Sequence, residues 1–208
     1  MSVALLSSGD PVRQATAGPR TSSSALLGMI DGLLADAGLA PPELGAVAAL
    51  AGPGSFTGLR VGLSTALGLH QALGLPAAAL PTLEVLAAAY DGPPADTVVA
   101  VVDALRGEWF AQLFAGGPAA ELRRPRADPA VVGPQEIAAH APCRVVGFGA
   151  AALADLPGWP VAAEPWQPPP LAATGARLAA AGAGRWDAAA LTRPLYLRGS
   201  PAQPPGRA

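Results

Sequence analysis

Residues 52–62 read Gly-Pro-Gly-Ser-Phe-Thr-Gly-Leu-Arg-Val-Gly and follow an apolar run, Ala46 to Ala51. Three kinds of chemistry fit this segment. It could cradle a phosphate, with the hydroxyls of Ser55 and Thr57 and free N–H groups turned to an anion at a helix N-terminus. It could be a strand-to-helix turn shaped by Pro53 and Gly54 and capped by Ser55. It could also orient the following helix toward a partner subunit. The loop is not a Walker A loop, which requires a lysine, nor is it a GxGxxG fingerprint.

Other candidates are weaker. Asp103, Arg106 and Glu108 cluster around a hairpin turn. They could form an acid–base pair, but a turn-stabilising ion pair fits the same spacing. Arg123, Arg124 and Arg126 could touch nucleic-acid phosphate or line a solvated loop. His70 stands on a helix, and Cys143 follows Pro142 with nothing nearby to activate a thiolate. Trp109, Trp159, Trp166 and Trp186 read as packing anchors.

The residue census closes further routes. All 13 basic residues are arginine, so a Schiff-base or general-base lysine is absent. A single cysteine excludes internal disulfides and Cys-rich zinc sites, and the two histidines are not in an HExxH pattern. A formal net charge of -2 gives no broad electrostatic footprint for nucleic acid, and 5% aromatic residues make a poor base-stacking platform. No catalytic residue, metal or cofactor is called for. The first residues lack a basic start and a long apolar run, and apolar stretches are interrupted before about 18 residues. A soluble, cytoplasmic protein is therefore expected.

These residues need elements to hold them. Ser2 to Ser7, a turn at Ser8 to Pro11 and Val12 to Ala17 read as a hairpin. Thr21 to Ala37 reads as a helix capped by Thr21 or one of Ser22 to Ser24 and ended by Gly38. Ala46 to Ala51 reads as a strand buried on both faces, and Phe56 to Leu73 as a second helix. Its Gly58 and Gly62, four apart, leave a smooth strip; a helix glycine costs about 1 kcal/mol against alanine and asks for a packing reason. Pro76 to Leu80 reads as a strand and Thr82 to Tyr90 as a helix capped by Thr82. After a boundary at Asp91 to Pro94 come a hairpin (Thr97 to Asp103 and Glu108 to Phe114), a polar loop (Arg123 to Ala130), a short helix (Gly133 to Ala141), a strand (Arg144 to Phe148), a linker from Gln167, a helix (Leu171 to Ala181) and an extended Leu195 to Leu197. The pattern divides the chain into an α/β unit over 1–93, a smaller unit over 94–198 and a disordered tail over 199–208.

The first helix carries Leu26, Met29, Ile30 and Leu33 on one line, with Leu27 and Leu34 beside it. With Leu59, Leu63 and Leu67 of the second helix, this is more apolar surface than one core stripe requires. A partner is expected to cover the excess, at roughly 1,600 Å² for a standard interface.

The segment Gly52, Pro53, Gly54, Ser55, Phe56, Thr57, Gly58, Leu59, Arg60, Val61, Gly62 resembles the signature of the TsaB family, also called YeaZ. Thr21 to Leu34, Ser64 to Glu84, Val102 to Trp109 and Arg193 to Arg198 resemble further family segments in order, the hairpin with Leu105 and Arg106 in altered register. The resemblance implies an actin-like, Hsp70-like (ASKHA) α/β fold in two subdomains. It implies a non-catalytic subunit that pairs through its first two helices with TsaD, the transferase that makes threonylcarbamoyladenosine in tRNA, and that shares the complex with the small ATPase TsaE. Transfer RNA would be met only through the complex, and a homodimer is possible in isolation. The family's older glycoprotease label finds no supporting residues. The family opens with a strand ending in Asp-Thr; that first N-terminal strand is missing here, which would leave sheet backbone unpaired. The alternative function is a nucleotide-binding, sugar-kinase-like enzyme using the Gly52 to Gly58 loop.

Overall fold

The protein is described here by a computed structural model covering residues 1–7, 12–18, 23–117, 123–156, 159, 166, 168–182 and 186–197. The turn at Ser8 to Pro11, the capping candidates Thr21 and Ser22, Gln167, Arg198 and the 199–208 tail lie outside the described residues.

Strand β1 (Ser2–Leu5) pairs antiparallel with β2 (Arg13–Thr16), Ser2 facing Thr16. Helix α1 (Ser23–Ala37) follows and packs on both strands. Strand β3 (Val47–Gly52) pairs in parallel with β4 (Ala77–Pro81) across α2 (Phe56–Leu73), a right-sized crossover for a parallel pair. Among the described residues these are two separate two-stranded sheets, and β1 and β3 do not pair. Val47 to Leu50, an apolar run expected to be buried on both faces, is only half-buried.

Helix α3 (Thr82–Ala89) is apolar on nearly every side. Its Leu83, Val85 and Leu86 are sealed between β3 and β4 on one hand and a second sheet on the other. That sheet contains β5 (Val98–Asp103), β6 (Trp109–Ala115), β7 (Arg124–Pro125), β8 (Ala130–Val132) and β9 (Arg144–Phe148). Strands β7, β6, β5 and β9 run in that order, with β8 also on β6 and only β5–β9 parallel. Strand β5, with both neighbours, buries all of Val98 to Val102. Short helices α4 (Pro134–Ala138) and α5 (Ala150–Ala154) cover the far face, over Ile137 and Leu153. Helix α6 (Leu171–Ala180) returns to lie against β1, β3 and α3, so the main core crosses the 93/94 boundary.

Two local expectations change. The polar stretch expected to be a loop over Arg123 to Ala130 contributes β7 and the start of β8, because edge pairing to β6 needs only backbone. Thr82 does not cap α3: Pro81 is the N-cap residue, and the Thr82 hydroxyl is buried without a hydrogen-bond partner.

Candidate functional site

The Gly52–Gly62 segment joins the end of β3 to α2. Gly52 has φ +109°, and a Cβ there would stand 2.9 Å from the Leu195 carbonyl oxygen and 3.0 Å from Leu59 Cδ1. Only glycine fits that approach. The C-terminal segment is pinned to the same place, since Leu195 N–H donates to the Ala51 carbonyl at 2.7 Å. Ser55 caps α2: its Oγ accepts the Gly58 N–H at 3.4 Å, and its carbonyl accepts the Leu59 N–H at 2.8 Å. The Gly52 side of the loop is thus filled by the chain's own return segment, and the Gly58 N–H is taken. This is the geometry of a capped turn rather than an open phosphate cradle. At the other end Gly74 (φ +68°) closes α2, and His70 Nδ1 donates to the Leu75 carbonyl at 2.6 Å, a local capping role.

The first turn of α2 carries a cluster that sequence reasoning missed. Phe56 and Tyr196 are 47% and 43% exposed, and their rings stack with centroids 5.4 Å apart. Arg60 lays its guanidinium 4.1 Å above the Phe56 ring and donates from Nε to Tyr196 Oη at 3.4 Å. The separation of Phe56 and Tyr196 along the chain hid it, because only tertiary folding brings the return segment beside α2.

The seven leucine-stripe candidates divide. Leu26, Leu33, Leu59 and Leu63 are buried within the chain itself, and Met29, Ile30 and Leu67 are half-buried. Leu63, 3% exposed, packs with Ala66, Ala77 and Leu191, so it belongs to the core. Helical spacing marks an apolar stripe but does not say whether the chain or a partner covers it. What faces outward is different: Leu27 at 52% exposure, and glycine. Gly28 and Gly32 in α1, and Gly62 and Gly68 in α2, have nothing within 4 Å of where a Cβ would stand. No packing among the described residues accounts for these helix glycines.

Arg123 is buried, not a solvated loop residue. Its Nη1 donates to the carbonyls of Ala87 and Tyr90, each at 3.0 Å, and Nη2 to those of Gly92 (3.2 Å) and Pro93 (3.0 Å). It also sits 4.9 Å over the Tyr90 ring. A cation at the C-terminal end of α3 complements the helix dipole, and burial pulls its pKa down. At the hairpin tip Asp103 Oδ1 accepts the Leu105 N–H at 2.7 Å, the turn-stabilising role. Leu105 and Arg106 adopt φ of 66° and 60° there. Burial raises the Cys143 thiol pKa, which makes it a poor nucleophile at neutral pH. A cleft of about 530 Å³ has Glu84, Gln112, Arg126 and Asp128 among its walls. Burial raises the Glu84 pKa. Among the described residues no cluster of His, Cys, Asp and Glu could hold a metal ion, and no helix is long and apolar enough to cross a membrane.

Comparison with known proteins adds to this geometry. A family model described as TsaD, tRNA N6-adenosine threonylcarbamoyltransferase, matches residues 17–118. The chain is 40% identical over 114 residues to the tRNA threonylcarbamoyladenosine biosynthesis protein TsaB of Haemophilus influenzae, spanning 54% of this chain and 48% of that one. It is 36% identical over 93 residues to the Escherichia coli TsaB, spanning 44% and 40%. The matched part is thus less than half the length of either curated relative. The solved structure of YeaZ from Pseudomonas aeruginosa superposes with a TM-score of 0.75 at 30% identity, over 94% of this chain and 93% of that one.

Proposed function

The chain belongs to the TsaB (YeaZ) family and has its actin-like fold, and from that premise we propose that it serves tRNA threonylcarbamoyladenosine biosynthesis as a non-catalytic subunit. In this reading it binds and activates a TsaD-type threonylcarbamoyltransferase through the outward faces of α1 and α2, and a TsaE-type ATPase joins the complex. The observation that carries the interface is glycine: Gly28, Gly32, Gly62 and Gly68 stand in helix interiors with open space beside them. Each costs about 1 kcal/mol in helix stability against alanine. Helices that approach closely across small residues recover that cost as van der Waals contact. The transferase family model matches residues 17–118, a range that contains both helices. Two chains alike in this region would meet through equivalent helices about a pseudo-two-fold axis.

The test is co-expression with the transferase of the same organism. A one-to-one complex at micromolar concentration is expected by light scattering, with transfer to tRNA only when both chains are present. Separate monomers at that concentration, or turnover by this chain alone, would refute the reading.

A further inference from the structure

We propose that Phe56, Arg60 and Tyr196 form the anchor of the partner-binding surface, and that a carboxylate of the transferase-type partner, flanked by apolar surface, seats on it. This rests on the function proposed above and adds to the two helix faces a contribution from the C-terminal return segment.

The cluster stays exposed in the folded chain. Phe56 and Tyr196 keep almost half of their surface in water, and neither belongs to a core cluster. They are nonetheless ordered against each other. The rings stack, Arg60 is held between the Phe56 face and the Tyr196 hydroxyl, and Leu195 ties the segment to the end of β3. A preorganised group loses little conformational entropy when a partner arrives. Aromatic residues and arginine are also the types in which interface energy concentrates.

Charge names the occupant. Arg60 is exposed and forms no salt bridge among the described residues, and the first turn of α2 holds no acidic residue. The positive end of the α2 dipole adds to the same field. The complement is an anion that Arg60 can grip through its terminal nitrogens, which have no hydrogen-bond partner among the described residues. A protein carboxylate fits better than nucleic acid. A phosphate backbone asks for a track of cations, whereas the exposed α2 neighbours Ser55, Thr57 and Gly58 are neutral and Arg193 of the return segment is paired with Asp187.

The experiment is calorimetric titration of the purified chain with the purified transferase at two salt concentrations. Phe56→Ala and Tyr196→Ala are each expected to weaken binding by about 30-fold, the scale of a hot-spot residue. Tyr196→Phe, which keeps the stack, should stay near wild type. Arg60→Ala should weaken binding and flatten its salt dependence, and Arg60→Glu, on an exposed side chain that cannot disturb the core, should weaken it further. Thermal melts establish that each variant is folded. Wild-type affinity in Arg60→Glu and Tyr196→Ala would overturn this inference while leaving the proposed function standing. Failure of the wild-type chain to bind would overturn both. Self-association lost in Arg60→Ala, or tRNA bound by the isolated chain and lost in the same variant, would assign the cluster to another occupant and overturn the inference.

Discussion

Replacing Gly32 and Gly62 together by alanine should move folding and binding in opposite directions. Both glycines lie inside helices, Gly32 in α1 and Gly62 in α2, and neither has an atom within 4 Å of the position a Cβ would take. A methyl group therefore meets no resistance in the isolated chain. The helix-propensity difference is then realised in full, about 1 kcal/mol at each position, so about 2 kcal/mol together. For a chain of this size that corresponds to a rise in Tm of about 4–8 °C. In a complex where a partner helix lies against these positions, each methyl overpacks the contact at a cost of about 1–3 kcal/mol. Affinity for the transferase should fall at least about 30-fold for the pair. Differential scanning calorimetry of the free chain and titration with the partner read the two halves separately. A lower Tm would mean that the chain itself needs these glycines. A higher Tm with unchanged affinity would remove both helix faces from the interface.

Four further outcomes follow from the same geometry. Arg123→Ala leaves four carbonyls at the end of α3 without their donor and should cost about 3 kcal/mol, measured as a lower urea midpoint. Gly52→Ala forces a Cβ against the Leu195 carbonyl at a φ that side chains avoid, and should destabilise by about 2–3 kcal/mol in the same assay. Leu63→Arg would put an unpaired charge among Ala66, Ala77 and Leu191 and is expected to give an unfolded chain by circular dichroism, not a folded one that merely fails to bind. The raised Glu84 pKa implies stability that is fully present below its ordinary value of 4.5 and lost as pH rises through the folded value. Glu84→Gln should therefore melt higher than wild type at pH 7 and lose that advantage near pH 4.

Much of the fold was legible because its signals are local. Strands Ala46 to Ala51, Thr97 to Asp103 and Arg144 to Phe148, and the helices after Ser55 and Thr82, could be read from hydrophobic period and Gly/Pro punctuation, within a residue or two of their observed ends. The family resemblance lies in the unbroken Gly52–Gly62 segment, which is local in the same way. Edge strands β7 and β8 were not legible, because their pairing is a property of β6 and leaves no hydrophobic pattern of its own. Arg123 was misread for a similar reason: its four carbonyl partners lie 30 to 36 residues away, and no spacing rule announces them.

The chain's own letters determined its helices, its strands, its capped turn at Ser55 and its kinship, since each depends on neighbours a few residues apart. Which side of each helix the protein keeps for itself was settled only by folding. Leu59 and Leu63 turn inward because β3, β4 and the return segment lie beneath them, while glycine, Leu27 and Phe56 are left outside. A helical stripe repeats identically whether it faces its own sheet or a stranger, and only the packing of distant segments distinguishes the two.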